Sequence, residues 1–213
     1  DIAEVLTDLS NGHRRSTFEV LLAGNARLAM EALSEIDPEV GETLLVERPP
    51  DELAALLTEL PSDDAAALVD HLPDELSAAV LELMSVTAAG EVQHLLEYED
   101  QTAGRIMNPN VFALTEDVTA GEAIQALQTS REVEMVFYLY VVDARRHLVG
   151  VVSLRRLLLM SQETPLKRIM TAEMISARVD TDQEEVAQEV ANYNLLAIPV
   201  VDESNKLVGL ITV

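Results

Sequence analysis

The chain has no cysteine among its 213 residues. That excludes a disulfide frame and any thiolate metal site, and it suits a reducing compartment. Basic residues are scarce: 14 Lys and Arg face 38 Asp and Glu, a formal net charge of −24. A field of that sign repels nucleic-acid phosphates and anionic lipid, so nucleic acid is excluded as a partner and cations are favoured. No apolar run reaches the ~18 residues needed to cross a bilayer. The longest, Met135 to Val142, reads as a buried strand. There is no signal peptide, and a start at Asp1 rather than Met reads as a trimmed piece of a longer chain. The four histidines, His13, His71, His94 and His147, lack metal-ligand spacing. No nucleophile elbow, P-loop or dinucleotide-binding glycine string occurs, so the chain does not read as an enzyme.

The charge is unevenly spread. Residues 1–103 hold 23 acids against 4 Lys and Arg, and residues 104–213 hold 15 against 10. The acidic part reads as all-helical over 1–98. Pro49, Pro61 and Pro73 recur every 12 residues, each followed by acids, as expected of helix starts with proline in the first turn. Apolar residues between them step by three and four, for example Leu53, Leu56, Leu57 and Leu60. Short helices joined by tight turns imply a small superhelix. Residues 99–104 read as a polar connector.

The remainder is one α/β unit written twice. Tyr140-Val141-Val142-Asp143 and Leu148-Val149-Gly150-Val151-Val152 return 59 residues later as Pro199-Val200-Val201-Asp202 and Leu207-Val208-Gly209-Leu210-Ile211. Arg105-Ile106-Met107 returns 63 residues later as Arg168-Ile169-Met170. Each copy reads as an Ile-Met turn, a short strand (Val111 to Leu114; Ile175 to Val179), a capped helix from Thr119 or Asp182, and a hairpin. The first copy spans 105–163 and closes with a helix from Leu154 to Met160. The second spans 164–213 and stops before its closing helix, so the natural polypeptide is expected to continue. The fold class is α+β: an N-terminal all-helical superhelical domain followed by a tandem α/β pair.

Candidate chemistry is sparse. Asp180, Asp182, Glu184 and Glu185 crowd one helix start. Capping explains two of them, Asp182 as N-cap and Glu185 as its box partner. The others would suit a hard divalent cation that keeps several waters. Tandem units of this kind also take adenine nucleotides in a cleft that needs apolar strand residues at the base, a cation for phosphate and a polar group for the ribose hydroxyls, and Tyr138 and Arg155 would serve there. Strand packing and a surface helix position explain the same two residues.

The repeats resemble CBS domains, a tandem pair forming one Bateman module. The Ile-Met start, the capped helix, the Val-Val-Asp strand end and the Leu-Val-Gly strand carry the likeness. Longer strings are similar to MgtE-type magnesium transporters: Tyr98 to Met107, Tyr138 to Asp143, Ser153-Leu154-Arg155, and Asp180 to Ala187. The resemblance implies a cytosolic Mg²⁺-sensing region of an inner-membrane protein, homodimeric through its CBS domains. A plug helix and transmembrane pore would follow in the full-length protein. Mg²⁺, with Mn²⁺ or Ca²⁺ as substitutes, would bind between N domain and CBS pair and hold the pore shut. The implied metal ligands fall on Glu31, Asp63, Asp182 and Glu184. The implied ATP cleft falls on Tyr138 and Arg155. Four positions depart from the family pattern: Ala67 and Asn194 where acids can stand, Leu195 for an aromatic at the base, and Arg156 for an acid at the ribose. A nucleotide-sensing module and a ligand-free scaffold are the alternative readings.

Overall fold

The computed structural model describes residues 2–130 and 137–212. Contacts divide the chain into two units, 1–98 and 99–213.

The first unit is helical: α1 (Ile2–Asp8), α2 (Asn11–Gly24), α3 (Ala26–Ser34), α4 (Pro38–Leu45), α5 (Pro50–Thr58), α6 (Ser62–Asp70), α7 (Asp74–Leu83) and α8 (Val86–Leu96). Pro49, Pro61 and Pro73 sit at the N-caps rather than the first helical positions. Their fixed φ, with extended ψ, turns the chain just before each helix. Pro38 and Pro50 do occupy the first turn, and Asp37 caps α4 through the Glu39 N–H at 2.9 Å. Helices pack across one intervening element, α5 on α7 and α6 on α8. Leu6, Phe18, Met30, Leu33, Leu53, Leu57 and Leu95 form the dry interior, the i, i+3, i+4 residues of successive helices.

All four arginines of this unit are engaged within it. Arg14, nearly buried, donates to the Leu6 and Thr7 carbonyls at 2.7 and 2.9 Å, at the negative end of α1. Arg15 pairs with Glu47 at 2.6 Å, and Arg27 with Glu31 at 2.7 Å. Arg48 bonds both Glu19 and Glu52 and lies over the Phe18 ring.

The second unit opens with α9 (Ala103–Ile106). The first copy follows as β1 (Ala113–Thr115), α10 (Ala120–Thr129), β2 (Tyr138–Val142), β3 (Leu148–Ser153) and α11 (Leu154–Leu159). The second is β4 (Ala177–Arg178), α12 (Gln183–Tyr193), β5 (Ala197–Val201) and β6 (Leu207–Thr212). Both first strands are shorter than their apolar runs suggest. Each sheet has three strands, the first pair parallel and the second antiparallel, with a register shift at Val141/Val142 and again at Val200/Val201. Of the apolar run Met135 to Val142, the first two residues lie outside the described residues. The rest begins on an exposed Phe137 before the strand turns inward.

The copies exchange their lead-in segments. The Leu166 N–H donates to Val118 O, and the Ala103 N–H to Thr181 O, both at 2.8 Å. Asn108 pairs with Leu210, and Thr171 with Val151. A Cβ on Gly209 would stand 2.3 Å from Met107 Sδ, and one on Gly150 would stand 2.6 Å from Met170 Sδ. Each Ile-Met turn thus drops its methionine onto a bare glycine of the opposite copy. The hairpin tips meet as well, Leu148 N–H to Asn205 O and Leu207 N–H to Arg146 O. Arg146 and Asn205 hold equivalent left-handed positions there, φ 69° and 63°. Tyr140, Val142 and Leu148 pack with Val201 and Leu207 to form the shared core. The segment read as a connector belongs to this exchange: Gln101 O accepts the Gln183 N–H, and Thr102 bridges Asp182.

Candidate ligand cleft and candidate metal ligands

The first copy builds a cleft from the β2–β3 register. Tyr138 stands opposite Ser153 across the antiparallel pair. The Leu154 N–H donates to Phe137 O at 3.0 Å, which ties the start of α11 to the start of β2. The Ser153 hydroxyl accepts the Arg156 N–H at 3.3 Å and caps α11, so Arg155 projects from its first turn. Phe137, Tyr138, Ser153, Leu154, Arg155, Leu158, Leu159 and, from the second copy, Leu196 line a cleft of about 620 Å³. The arrangement offers apolar and aromatic wall, one guanidinium and one hydroxyl. That chemistry accommodates a flat apolar ring attached to an anion.

Tyr138 and Arg155, paired from sequence, therefore line one cleft. Leu195 does not line it; Leu196 does. Arg156 lies outside it, on the same helix turn. Phe137 supplies an aromatic that sequence reasoning missed. The 59-residue offset pairs Phe137 with Leu196, a signal that could have found both.

The candidate metal ligands fall on both units, Glu31 and Asp63 in the first and Asp182 and Glu184 in the second. Asp182 caps α12 by accepting the Glu184 N–H at 2.8 Å. Glu185 does not close the expected box; the corresponding box forms only in the first copy, between Thr119 and Glu122. Asp182 and Glu184 are both exposed. Asp180 faces Arg178 at 3.5 Å. Glu31 lies on α3 and is held by Arg27. Asp63 lies in the first turn of α6, which packs on α3; Ser34 of α3 donates to the neighbouring Asp64 at 2.9 Å. Ala67 is exposed, and Asn194 ends α12 with φ 50°. Among the described residues, no three His, Asp or Glu gather in metal-holding geometry.

At the first hairpin, Asp143 accepts from His147 Nδ1 at 2.8 Å and from the N–H groups of Arg145 and His147. The His147 hydrogen bond, helped by these backbone donors, holds the Asp143 carboxyl below its usual range. Burial between the copies pushes the Tyr140 phenol up.

A helical unit ahead of two α/β copies that exchange their lead-in segments defines a helical N domain joined to a tandem CBS module. The CBS domain family matches residues 103–163 and 166–213. The MgtE intracellular N domain family matches residues 1–101, and the chain belongs to the MgtE family. It is 41% identical over 126 residues to the magnesium transporter MgtE of Enterococcus faecalis, covering 59% of this chain and 28% of that protein. The matched region is thus under a third of the curated relative's length. The crystal structure of the soluble part of a magnesium transporter superposes with TM-score 0.83 at 33% identity, covering 99% of this chain and 82% of that one. The cytosolic domain of the Mg²⁺ channel MgtE in complex with ATP gives 0.81 at 32% identity, covering 99% and 90%. No helix among the described residues is long and apolar enough to cross a membrane.

Proposed function

We propose that this chain is the Mg²⁺-sensing regulatory region of a magnesium channel or transporter, acting on the cytosolic face of the membrane and catalysing no reaction. Mg²⁺ held jointly by carboxylates of the helical unit, Glu31 and Asp63, and of the second CBS copy, Asp182 and Glu184, stabilises a closed state that shuts the pore. The observation that carries this reading is where the acids fall. The helical unit has no Lys or Arg left over to neutralise its carboxylates. In the second unit, the segment Gln101-Thr102 bonds the acidic start of α12. Surfaces of like charge repel, and a cation binding only the closed arrangement shifts the equilibrium toward it. Moving a population from mostly open to mostly closed takes roughly 5.5 kcal/mol, more than one weak carboxylate site supplies, so several ions act together. Mn²⁺ or Ca²⁺ would substitute where the carboxylate geometry tolerates them.

Exposed apolar side chains outside the cleft lining, Met160 at 38% and Tyr193 at 63%, support a homodimer through the CBS pair. The plug helix and transmembrane pore of the full-length protein are its remaining partners. A second reading stands beside the first: the cleft at Tyr138 and Arg155 binds an adenine nucleotide, supported by its lining and by the ATP complex of the relative.

Small-angle scattering during a Mg²⁺ titration at fixed ionic strength tests the main reading. The radius of gyration is expected to fall as Mg²⁺ rises, and to stay constant when Asp182 and Glu184 are both alanine. An unchanged radius in the wild-type chain leaves the scaffold alternative standing instead. Sedimentation across a wide concentration range tests the dimer.

A further inference from the structure

We infer that the cleft takes its nucleotide as the metal-free polyanion and discriminates against the Mg²⁺ complex. The inference rests on the nucleotide reading above and concerns the ionic form bound. Arg155 and Arg156 are adjacent, exposed, and without an ion-pair partner among the described residues. One lines the cleft and the other stands beside it on the same short helix.

None of the described lining residues is a carboxylate. A protein that binds a metal–nucleotide complex commonly supplies an acid to share the metal, as Mg²⁺ sites built from carboxylate and phosphate do. Here the lining offers guanidinium instead. Guanidinium pairs with phosphate oxygens through charge-assisted, forked hydrogen bonds, and those oxygens are the ones Mg²⁺ would occupy. Complexation also cancels half the charge of a triphosphate, weakening its attraction to the cation pair. The physical consequence is competition: free Mg²⁺ withdraws the form of ATP that fits.

Calorimetric titration of the chain with ATP and with AMP, in EDTA and at increasing Mg²⁺, tests this. AMP binds Mg²⁺ far less than ATP does and reports any effect of Mg²⁺ on the protein itself. The apparent Kd for ATP is expected to rise with the complexed fraction, about tenfold when nine-tenths of the ATP carries Mg²⁺, while that for AMP stays constant. Arg155→Gln is expected to weaken metal-free ATP about tenfold, the loss of one charge-assisted contact, with unchanged circular dichroism. ATP binding as tightly with Mg²⁺ as without it, AMP and ATP weakening together, or an Arg155→Gln chain that binds free ATP normally would each overturn the inference; the first two leave the nucleotide reading intact, and the third removes Arg155 from it. No binding of either nucleotide in EDTA would remove the nucleotide reading itself, and this inference with it.

Discussion

In the first CBS copy the chain enters the strand beside the cleft through Phe137-Tyr138. In the second, the corresponding positions are Leu196 and Ala197. The helix starts diverge too. Thr119 and Glu122 close on one another in a complete capping box, whereas Asp182 takes a single N–H and leaves Glu184 and Glu185 outward. The scaffold, by contrast, agrees bond for bond. Each methionine covers the opposite glycine, each lead-in segment bonds the opposite helix start, and each hairpin turns through a left-handed residue. The lesson is a division of labour. Positions facing the other copy are held alike by reciprocal packing, while positions facing solvent are free to become an aromatic cleft in one copy and an acidic rim in the other.

The largest effect is expected where the scaffold is reciprocal. Valine at Gly209 or Gly150 would meet the methionine Cβ of the other copy, at 2.8 Å and 2.9 Å, so rotation of the thioether alone does not relieve the clash. Each substitution should cost about 2–3 kcal/mol in urea unfolding, the usual range for overpacking. A tolerated substitution at one glycine only would show that the two locks are not equivalent.

The helix starts sharpen the contrast. Asp182→Ala and Thr119→Ala should each cost about 1 kcal/mol as lost N-caps. Only the former, combined with Glu184→Ala, should abolish Mg²⁺-induced compaction in scattering. If Thr119→Ala blunts compaction as strongly, the acidic rim is not what distinguishes the second copy.

The first hairpin carries its own ion pair, Asp143 with His147 at 2.8 Å. Because His147 keeps the Asp143 carboxyl below its ordinary range, the stabilisation is complete above the unfolded carboxylate value. It disappears as pH falls through the lower folded value. Melting curves of wild type and Asp143→Asn should differ near neutrality and converge as pH falls through the lowered folded value of the carboxyl. Parallel curves would mean that the bond contributes nothing.

The smallest stability change concerns the helical unit. Arg27 and Glu31 are half and one-third exposed, so Arg27→Gln should change stability by less than about 0.5 kcal/mol. It should nevertheless shift compaction to lower Mg²⁺, because Glu31 no longer has a tethered counter-ion. An unmoved midpoint in the scattering titration would remove Glu31 from the proposed ligands.

Much of this was legible in sequence because it is written locally. The 59- and 63-residue offsets revealed two copies, proline and acid spacing revealed the helical unit, and Thr119 announced its box. The pairing of Tyr138 with Arg155 rested on family resemblance, and the β2–β3 register puts both on one cleft. The proline positions slipped by one residue, since a proline suits either an N-cap or a first helical position. Asp182-x-x-Glu185 carries the spacing of a box, yet the Asp182 side chain is short and takes the nearer Glu184 N–H.

Local pattern by itself determined the repeat, the element order and the sign of the charge, because periodicity and composition need no knowledge of neighbours. Only the tertiary structure decided that each lead-in segment completes the opposite copy, that Leu196 rather than Leu195 closes the cleft, and that Arg27 already occupies Glu31. Those are contacts between residues far apart in sequence or on separate turns. They are set by strand register, by the space left over a glycine and by the reach of an arginine, none of which a linear pattern encodes.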